Sequence, residues 1–469
     1  MSLTESGDSV LKTLSDVWSL VGGYSDVLDN INLSGTDPIL PSNFKIGTAA
    51  SVTIGAASLA ALEVWRSRTG REQRITLNMR DATIAFCSEH YTEVDNKAVM
   101  QSFWSPASGH FNDKDGNWVQ LHCQYPHLRN GVLEILGCEN EEFSVRRAVE
   151  SWGGAELEFA CREKKLCVSL VRSAKDWSEH PHAKALSALP VIEILKIGDA
   201  PAESLSSDEQ QPLSGANVLD LTKVIAGPVC GRTLASYGAS VMRVGAKHLP
   251  VLEPLVIDTG LGKKSTFLDL RDPTDNEKLD GLLRDADIFV QGYRPGAIAK
   301  HGFGPEEVAA KRPGIIYVNL SAYGHVGPWS TWRGFDSLVQ SATGIAHEGM
   351  IESGINKPCP LPCQALDHAT GYLAAFGAMI ALKRRLEEGG SWMVRVSLAH
   401  TGKWFNDLGR VEGLKTKKPA RVEISDLLEK HDSPFGVIEH VRPPEIFSET
   451  QPYWSTGSVP LGSNEPRWQ

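Results

Sequence analysis

The chain lacks the features that would place it on nucleic acid, across a membrane or in a secretory route. Its 469 residues carry a net charge of −10 without any block of Lys or Arg, which argues against a partner held by phosphate contacts and against an anionic membrane surface. Small anionic ligands remain open, because a local site can be basic in an acidic protein. The opening "MSLTESGDSVLKTL" has no basic segment followed by an apolar run, so no secretory signal is expected. The most apolar stretch, residues 46–65, is interleaved with Thr, Ser and Gly and bracketed by charges; it reads as a buried helix rather than a membrane span. Cysteines are few and scattered, which in a long chain without a signal points to reduced thiols and a cytoplasmic setting. Only Cys359 and Cys363 have a spacing a metal would use, and no second Cys or His pair completes four ligands, so no metal site is expected. The dinucleotide fingerprint is also missing, since Gly227, Gly231 and Gly238 have the wrong spacing.

The length is too great for one small core and implies two or three domains. In residues 1–99 a helix is predicted over 48–69, closed by Gly70 and followed by the strand-like "RITLNMRD". Residues 100–200 change texture: "GHFNDKDGNWVQLHC" reads as a hairpin turning at 113–116, and the segment as a small α+β domain. A linker rich in Pro, Ser and acid is expected at 201–216. Over 217–400 strands such as "NVLDLT", "SVMRVG", "DIFVQGY" and "GIIYVNLSAYG" alternate with helical segments. That pattern predicts parallel βαβ units, hence an α/β fold with a doubly wound, Rossmann-like sheet beside the smaller α+β domain. Ligands of such sheets sit beyond the carboxyl ends of the strands, here the loops "TKVIAGP", "GAKHLP", "GYRPG" and "SAYGHVGPW". Residues 401–469 form a C-terminal extension.

One internal echo stands out. "SLAALEVWRSRTGREQRITLNM" resembles "GAMIALKRRLEEGGSWMVRVSL": helix, basic turn, glycine, strand. Superposing Gly70 on Gly389 sets Thr48 against Asp367, so a single unit recurs and only its second copy has the carboxylate.

Asp367 heads a long apolar helix, and two readings of it stand. Asp is a preferred N-cap, satisfying free backbone N–H groups. Alternatively, the positive end of the helix keeps a partly desolvated carboxylate ionised and fit to act as a nucleophile, with Gly371 leaving room one turn on. Gly227-Pro228 is either an ordinary strand-to-helix turn or one whose helix end faces a phosphate. In "GYRPG", Tyr293 and Arg294 suit a purine and a phosphate, or form a plain solvated turn. Lys263 and Lys264 are solvated or phosphate-facing, and His325 is a base or a surface imidazole.

Six pieces in order, "VLDLTKVIAGPVCGRTLASYGASV", "GKKSTFLDL", "ADIFVQGYRPGAIAKHGFGPEEVA", "YGHVGPW", "GFDSLVQSATG" and "DHATGYLAAFGAMIAL", resemble the class III CoA-transferase family, of the formyl-CoA and carnitine-CoA transferase type. The resemblance implies that Asp367 attacks an acyl-CoA thioester and passes through a mixed anhydride to an aspartyl-CoA thioester, which an acceptor acid resolves. It implies CoA contacts at Val224, Ala226, Arg243, Gly292, Tyr293 and Arg294. It further implies coenzyme A as a substrate, no covalent cofactor, an acyl-CoA and a carboxylic acid as partners, and an intertwined homodimer. The order of segments departs from the family: an Asp-less helix unit and the small domain come first, and the full sheet follows. The chain thus reads as two trimmed copies fused, which also allows a site within one chain.

Further departures are Ile225, where some members have Gln, Gly245 in place of Glu, and the absence of the Gly-rich loop that covers the aspartate. Two rival functions follow from the same residues. An α-methylacyl-CoA racemase requires a His before the Asp of "GFD", where this chain has Phe335, which moves no proton. A non-catalytic CoA-binding subunit would have no use for Asp367.

Overall fold

The computed structural model describes residues 3–23, 25–100, 105–205 and 210–468, so residues 206–209 of the expected linker lie outside it. The first unit is built on helix α1 (Ile46–Thr69). It has apolar or small residues on every side and therefore no face to give to water; from Ile46 to Leu62 it is buried throughout. It stops at Gly70, whose φ of 68° is the left-handed conformation glycine adopts freely. Strand β1 (Ile75–Asn78) and helix α2 (Met79–Ala85) follow, α2 being capped by Asn78, which accepts the N–H of Arg80.

The small domain contains the predicted hairpin, Gly109–Asn112 against Trp118–Leu121, with Val168–Leu170 as a third strand. Asp113 builds the turn by accepting the N–H groups of Asp115 and Asn117 at 2.9 and 2.8 Å. Phe111, Val119, Leu121, Val132 and Leu157 give this domain its own core.

The next segment departs from expectation. "VIEILKIG", read as the end of the small domain, supplies strand β2 (Ile192–Gly198) to the large sheet. The remaining elements of that sheet are β3 (Asn217–Leu221), α3 (Ala226–Ser236), β4 (Ser240–Gly245), β5 (Lys263–Phe267), α4 (Pro273–Arg284), β6 (Ile288–Gln291), α5 (Pro305–Lys311) and β7 (Ile316–Ser321). They are followed by α6 (Asp336–Ala342), the long α7 (Ala365–Glu388), β8 (Ser391–Ser397) and α8 (Leu398–Asp407). The spatial order is β5-β4-β3-β6-β7-β8-β2, parallel throughout except for β2, which runs antiparallel along β8. The strand order reverses between β3 and β6, so the fold is the expected doubly wound α/β sheet, and a crevice opens there.

The echo seen in sequence is physical. α1 and α7 each span 24 residues, lie against one another at the centre of the molecule, and lead through a glycine into a strand and a helix. Thr48 and Asp367 both stand third in their helices. Both helices are long and apolar enough to cross a membrane, and here both are buried inside the protein. The C-terminal extension ties the halves together: Glu445–Phe447 pairs antiparallel with β1, and the Trp454 Nε1 donates to the Arg232 carbonyl of α3 at 2.9 Å.

Candidate active site

A cavity of about 460 Å³ opens at the reversal point, over the carboxyl ends of β3, β4, β6 and β7. Its sheet-side wall is made by Thr222, Lys223, Val224 and the first residues of α3, and by the turn 292–295 after β6. Tyr125, His127, Leu128 and Cys167 of the small domain form the facing wall, while Phe335, Asp367 and Leu398 also line it. Sheet domain and small domain of one chain thus enclose the same cavity.

Six of the seven residues expected at a site are together here: Val224, Ala226, Gly292, Tyr293 and Arg294 share the cavity with Asp367. Arg243 does not line it. It lies on β4, 6% exposed, beside a much smaller void with Tyr125, Lys223 and Val224, where burial holds its basicity down. Lys263, read as solvated or phosphate-facing, is neither: it is buried and paired with Asp220 at 2.8 Å. His325 is half-buried, 3.5 Å from Glu193.

Val224 has φ 72°, a conformation that a β-branched residue adopts only under constraint. The turn it occupies feeds directly into α3. The close approach of α3 and α7 fixes the geometry beside it. A Cβ on Gly371 would lie 2.5 Å from the Ala226 carbonyl oxygen, so only glycine lets the two backbones meet. One turn earlier on α7, Asp367 thereby comes level with the start of α3.

Two expectations about Asp367 are corrected by this geometry. It is not the N-cap, which is Gln364; Asp367 is the third helical residue and its side chain makes no cap. The cap comes from another helix, where Asp336 Oδ2 accepts the Asp367 N–H at 2.9 Å. Nor does the helix end hold the Asp367 carboxyl in its ordinary range. Burial first, then Asp336, then Glu89, push its pKa well above that range, because desolvation and two like charges outweigh a partial dipole charge. Asp336 is itself pushed up to about 6 by burial. His368, next along α7, is buried with its Nε2 3.0 Å from Glu89 Oε2. Burial would raise Glu89, yet His368 holds it down to about 2.

Several residues of the cavity wall escaped the sequence reading. Lys223, Lys300 and Arg333 join Arg294 as cations around the cavity. Lys223 is lowered to about 8 by burial and by Arg243. Lys223 sat within a quoted loop, but the small-domain wall had no local signal, since it arrives from about a hundred residues away in sequence. Phe335 stacks on His122 with centroids 4.0 Å apart, closing the wall with an aromatic face.

These features define an α/β protein with a phosphate-compatible cavity ending at a buried, unusually basic carboxyl. Residues 213–423 match the CoA-transferase family III. The chain is 36% identical over 445 residues to an acetyl-coenzyme A transferase of Hypoxylon pulicicidum, covering 85% of this chain and 74% of that one. It is 28% identical over 416 residues to an acyl-CoA transferase of Gibberella moniliformis, covering 79% of this chain and 73% of the relative. A crystal structure of a Mycobacterium tuberculosis protein, Rv3272, aligns over 42% of this chain and 58% of its own, at 30% identity and a TM-score of 0.38. The chain belongs to the CoA-transferase family III; its chemistry is CoA transfer, with coenzyme A as substrate.

Proposed function

We propose that the protein moves CoA from an acyl-CoA donor to a free carboxylic acid, with Asp367 as the nucleophile. The observation that carries this reading is the position of Asp367. Its side chain is nearly buried, yet it lines the cavity shared with Tyr293 and Arg294. A desolvated carboxylate of raised basicity is a stronger nucleophile than a solvated one.

In the first half-reaction an Asp367 oxygen bonds to the thioester carbonyl carbon, the C–S bond breaks, and CoA thiolate leaves a mixed anhydride. The thiolate then bonds to the Asp367 carbonyl carbon and expels the donor acid as its carboxylate. The acceptor carboxylate attacks the resulting aspartyl thioester and releases thiolate. That thiolate takes the acceptor acyl carbon and restores the Asp367 carboxylate. No proton is gained or lost over the cycle. Lys223, Arg294, Lys300 and Arg333 suit the phosphates of CoA, and the ring of Tyr293 suits its adenine. Arg243, away from the cavity, acts at most through the charge it places near Lys223.

A racemase reading is disfavoured by Phe335, which lines the cavity where that chemistry requires a proton-carrying His. The test is acyl exchange followed by mass spectrometry, with a panel of acyl-CoAs and free acids, beside Asp367→Ala. Exchange by the native protein alone supports the reading. Equal exchange by Asp367→Ala removes the nucleophile assignment, and no exchange across the panel with CoA still bound turns the reading towards a binding subunit.

A further inference from the structure

Asp336 opens α6, but its carboxylate serves a different helix. Oδ2 accepts the Asp367 N–H at 2.9 Å, and the Leu366 N–H also bonds to this carboxyl. Oδ1 accepts from the Gln340 amide. The Gln340 Oε1 in turn accepts the Leu361 N–H at 2.8 Å, on the segment leading into α7.

The first unit repeats this arrangement without a nucleophile. Asp37 Oδ1 accepts the Gly47 N–H at 2.8 Å, and Oδ2 accepts both the N–H and the hydroxyl of Thr48, at 2.8 and 2.7 Å. There the third helical residue offers a hydroxyl proton to the capping carboxylate. In the second unit that residue is Asp367, which offers none when ionised. Two buried carboxyl side chains therefore belong to one helix entry, where Asp336 is 2% and Asp367 6% exposed.

The groups around them leave the pair unmatched. The His368 imidazole, next along α7, is already hydrogen-bonded to Glu89 of the short helix Ser88–Tyr91. Cys363 and Cys87 are free thiols hydrogen-bonded to one another, and His90 and Lys418 lie beyond Cys87, hydrogen-bonded together. On the cavity side the cations include Lys223, Arg294, Lys300 and Arg333. A buried negative charge on Asp336, one hydrogen bond from the Asp367 backbone, opposes ionisation of the Asp367 carboxyl.

We propose that Asp336 is a positioning residue for CoA transfer, fixing the Asp367 backbone at the helix entry and placing a buried charge beside its carboxyl, so that it sets the pH at which Asp367 is free to attack. The proposal rests on the reading of Asp367 as nucleophile. The upward displacement of Asp336 by burial, and of Asp367 by burial and then by the Asp336 charge, agrees with this.

The experiment measures kcat/KM against pH for the native protein, Asp336→Asn and Asp37→Asn, and traps the acyl-enzyme with borohydride for peptide mapping. Asn keeps an oxygen for the Asp367 N–H but holds no charge, so Asp367 ionises more easily. The acid limb of Asp336→Asn is expected to move to lower pH by about one unit or more, with KM for CoA within a few-fold of native. Asp37→Asn loses the equivalent cap and is expected to lower thermal stability while leaving the pH profile in place. Should Asp336→Asn not fold, Asp336→Ser removes the same charge while keeping a capping oxygen, and the same shift is expected. Label on Asp367 in the native protein with an unmoved acid limb in the Asp336 variant, or an equal shift in Asp37→Asn, overturns the proposal and spares the nucleophile. Absence of label on Asp367 with an active Asp367→Ala overturns both.

Discussion

Lys263 Nζ lies 2.8 Å from Asp220 Oδ2, with the two side chains 2% and 0% exposed. The pair reaches from β5 across β4 to β3, and the same ammonium donates to the Pro228 carbonyl at 2.7 Å in the first turn of α3. It therefore holds the start of α3 over the sheet, underneath the cavity. Replacing one partner strands a buried charge. Lys263→Met is expected to lose about 3–5 kcal/mol of stability, and Lys263→Met with Asp220→Asn to regain most of it. Urea denaturation of the three proteins measures this; a double variant no more stable than Lys263→Met contradicts the ion-pair account.

The contact between Gly371 and the Ala226 carbonyl makes a second prediction. Gly371→Ala forces α7 away from α3, since the added carbon meets a backbone oxygen and not a flexible side chain. A loss of about 1–3 kcal/mol is expected from overpacking. Because Asp367 lies one turn earlier on the same helix, kcat is expected to fall by roughly 10²-fold for a displacement of about 1 Å. Steady-state kinetics beside a melting curve separate the two effects. A variant with native kcat would mean that the helix spacing does not position the carboxylate.

Much of this could be read from the sequence, and the misreadings share a cause. Alternation of buried strands with helices is a local signal, so β3 to β8 and the switch-point cavity followed from residues 217–400. The repeat of α1 and α7 was legible because a glycine closes both helices. Pairing of β2 with β8 was not: Ile192 and Val396 meet across some two hundred residues, and a half-buried edge strand has no pattern that names its partner. The same limit hid Asp336. "GFD" and "DHATG" were both noticed, but nothing local says that the first carboxylate caps the helix of the second. Asp367 was taken for its own cap because Asp is so frequent at that position; Ala365 and Leu366 in fact begin the helix before it.

Sheet domain and small domain of one chain line one cavity, and this bears on the homodimer that the family resemblance implies. If each chain holds a whole site, two defective chains cannot repair one another. Asp367→Ala mixed with Arg294→Ala, after co-expression and isolation of any mixed assembly, is expected to have no more CoA transfer than the sum of the two alone. Recovery of a substantial part of native activity would mean that Asp367 and Arg294 act from different chains.

The last prediction concerns what the raised basicity of Asp367 does to stability. Its folded-state pKa lies above the ordinary carboxyl value, through burial and through Asp336 and Glu89. Between those two values the folded protein binds a proton that the unfolded chain does not, so this group favours folding at low pH. As pH rises through the folded pKa, the native state must carry a poorly solvated charge, and that contribution is lost. At neutral pH Asp367 is therefore a destabilising residue, and Asp367→Asn is expected to melt a few degrees above the native protein. The gain is expected to shrink as pH falls towards about 4, where the native carboxyl is also neutral. Calorimetry of both proteins from pH 8 to pH 4 reads the difference directly. An Asn variant less stable than native at pH 8 would show that Asp367 is held by favourable contacts instead, and that its exposure to the cavity carries no strain for a nucleophile to release.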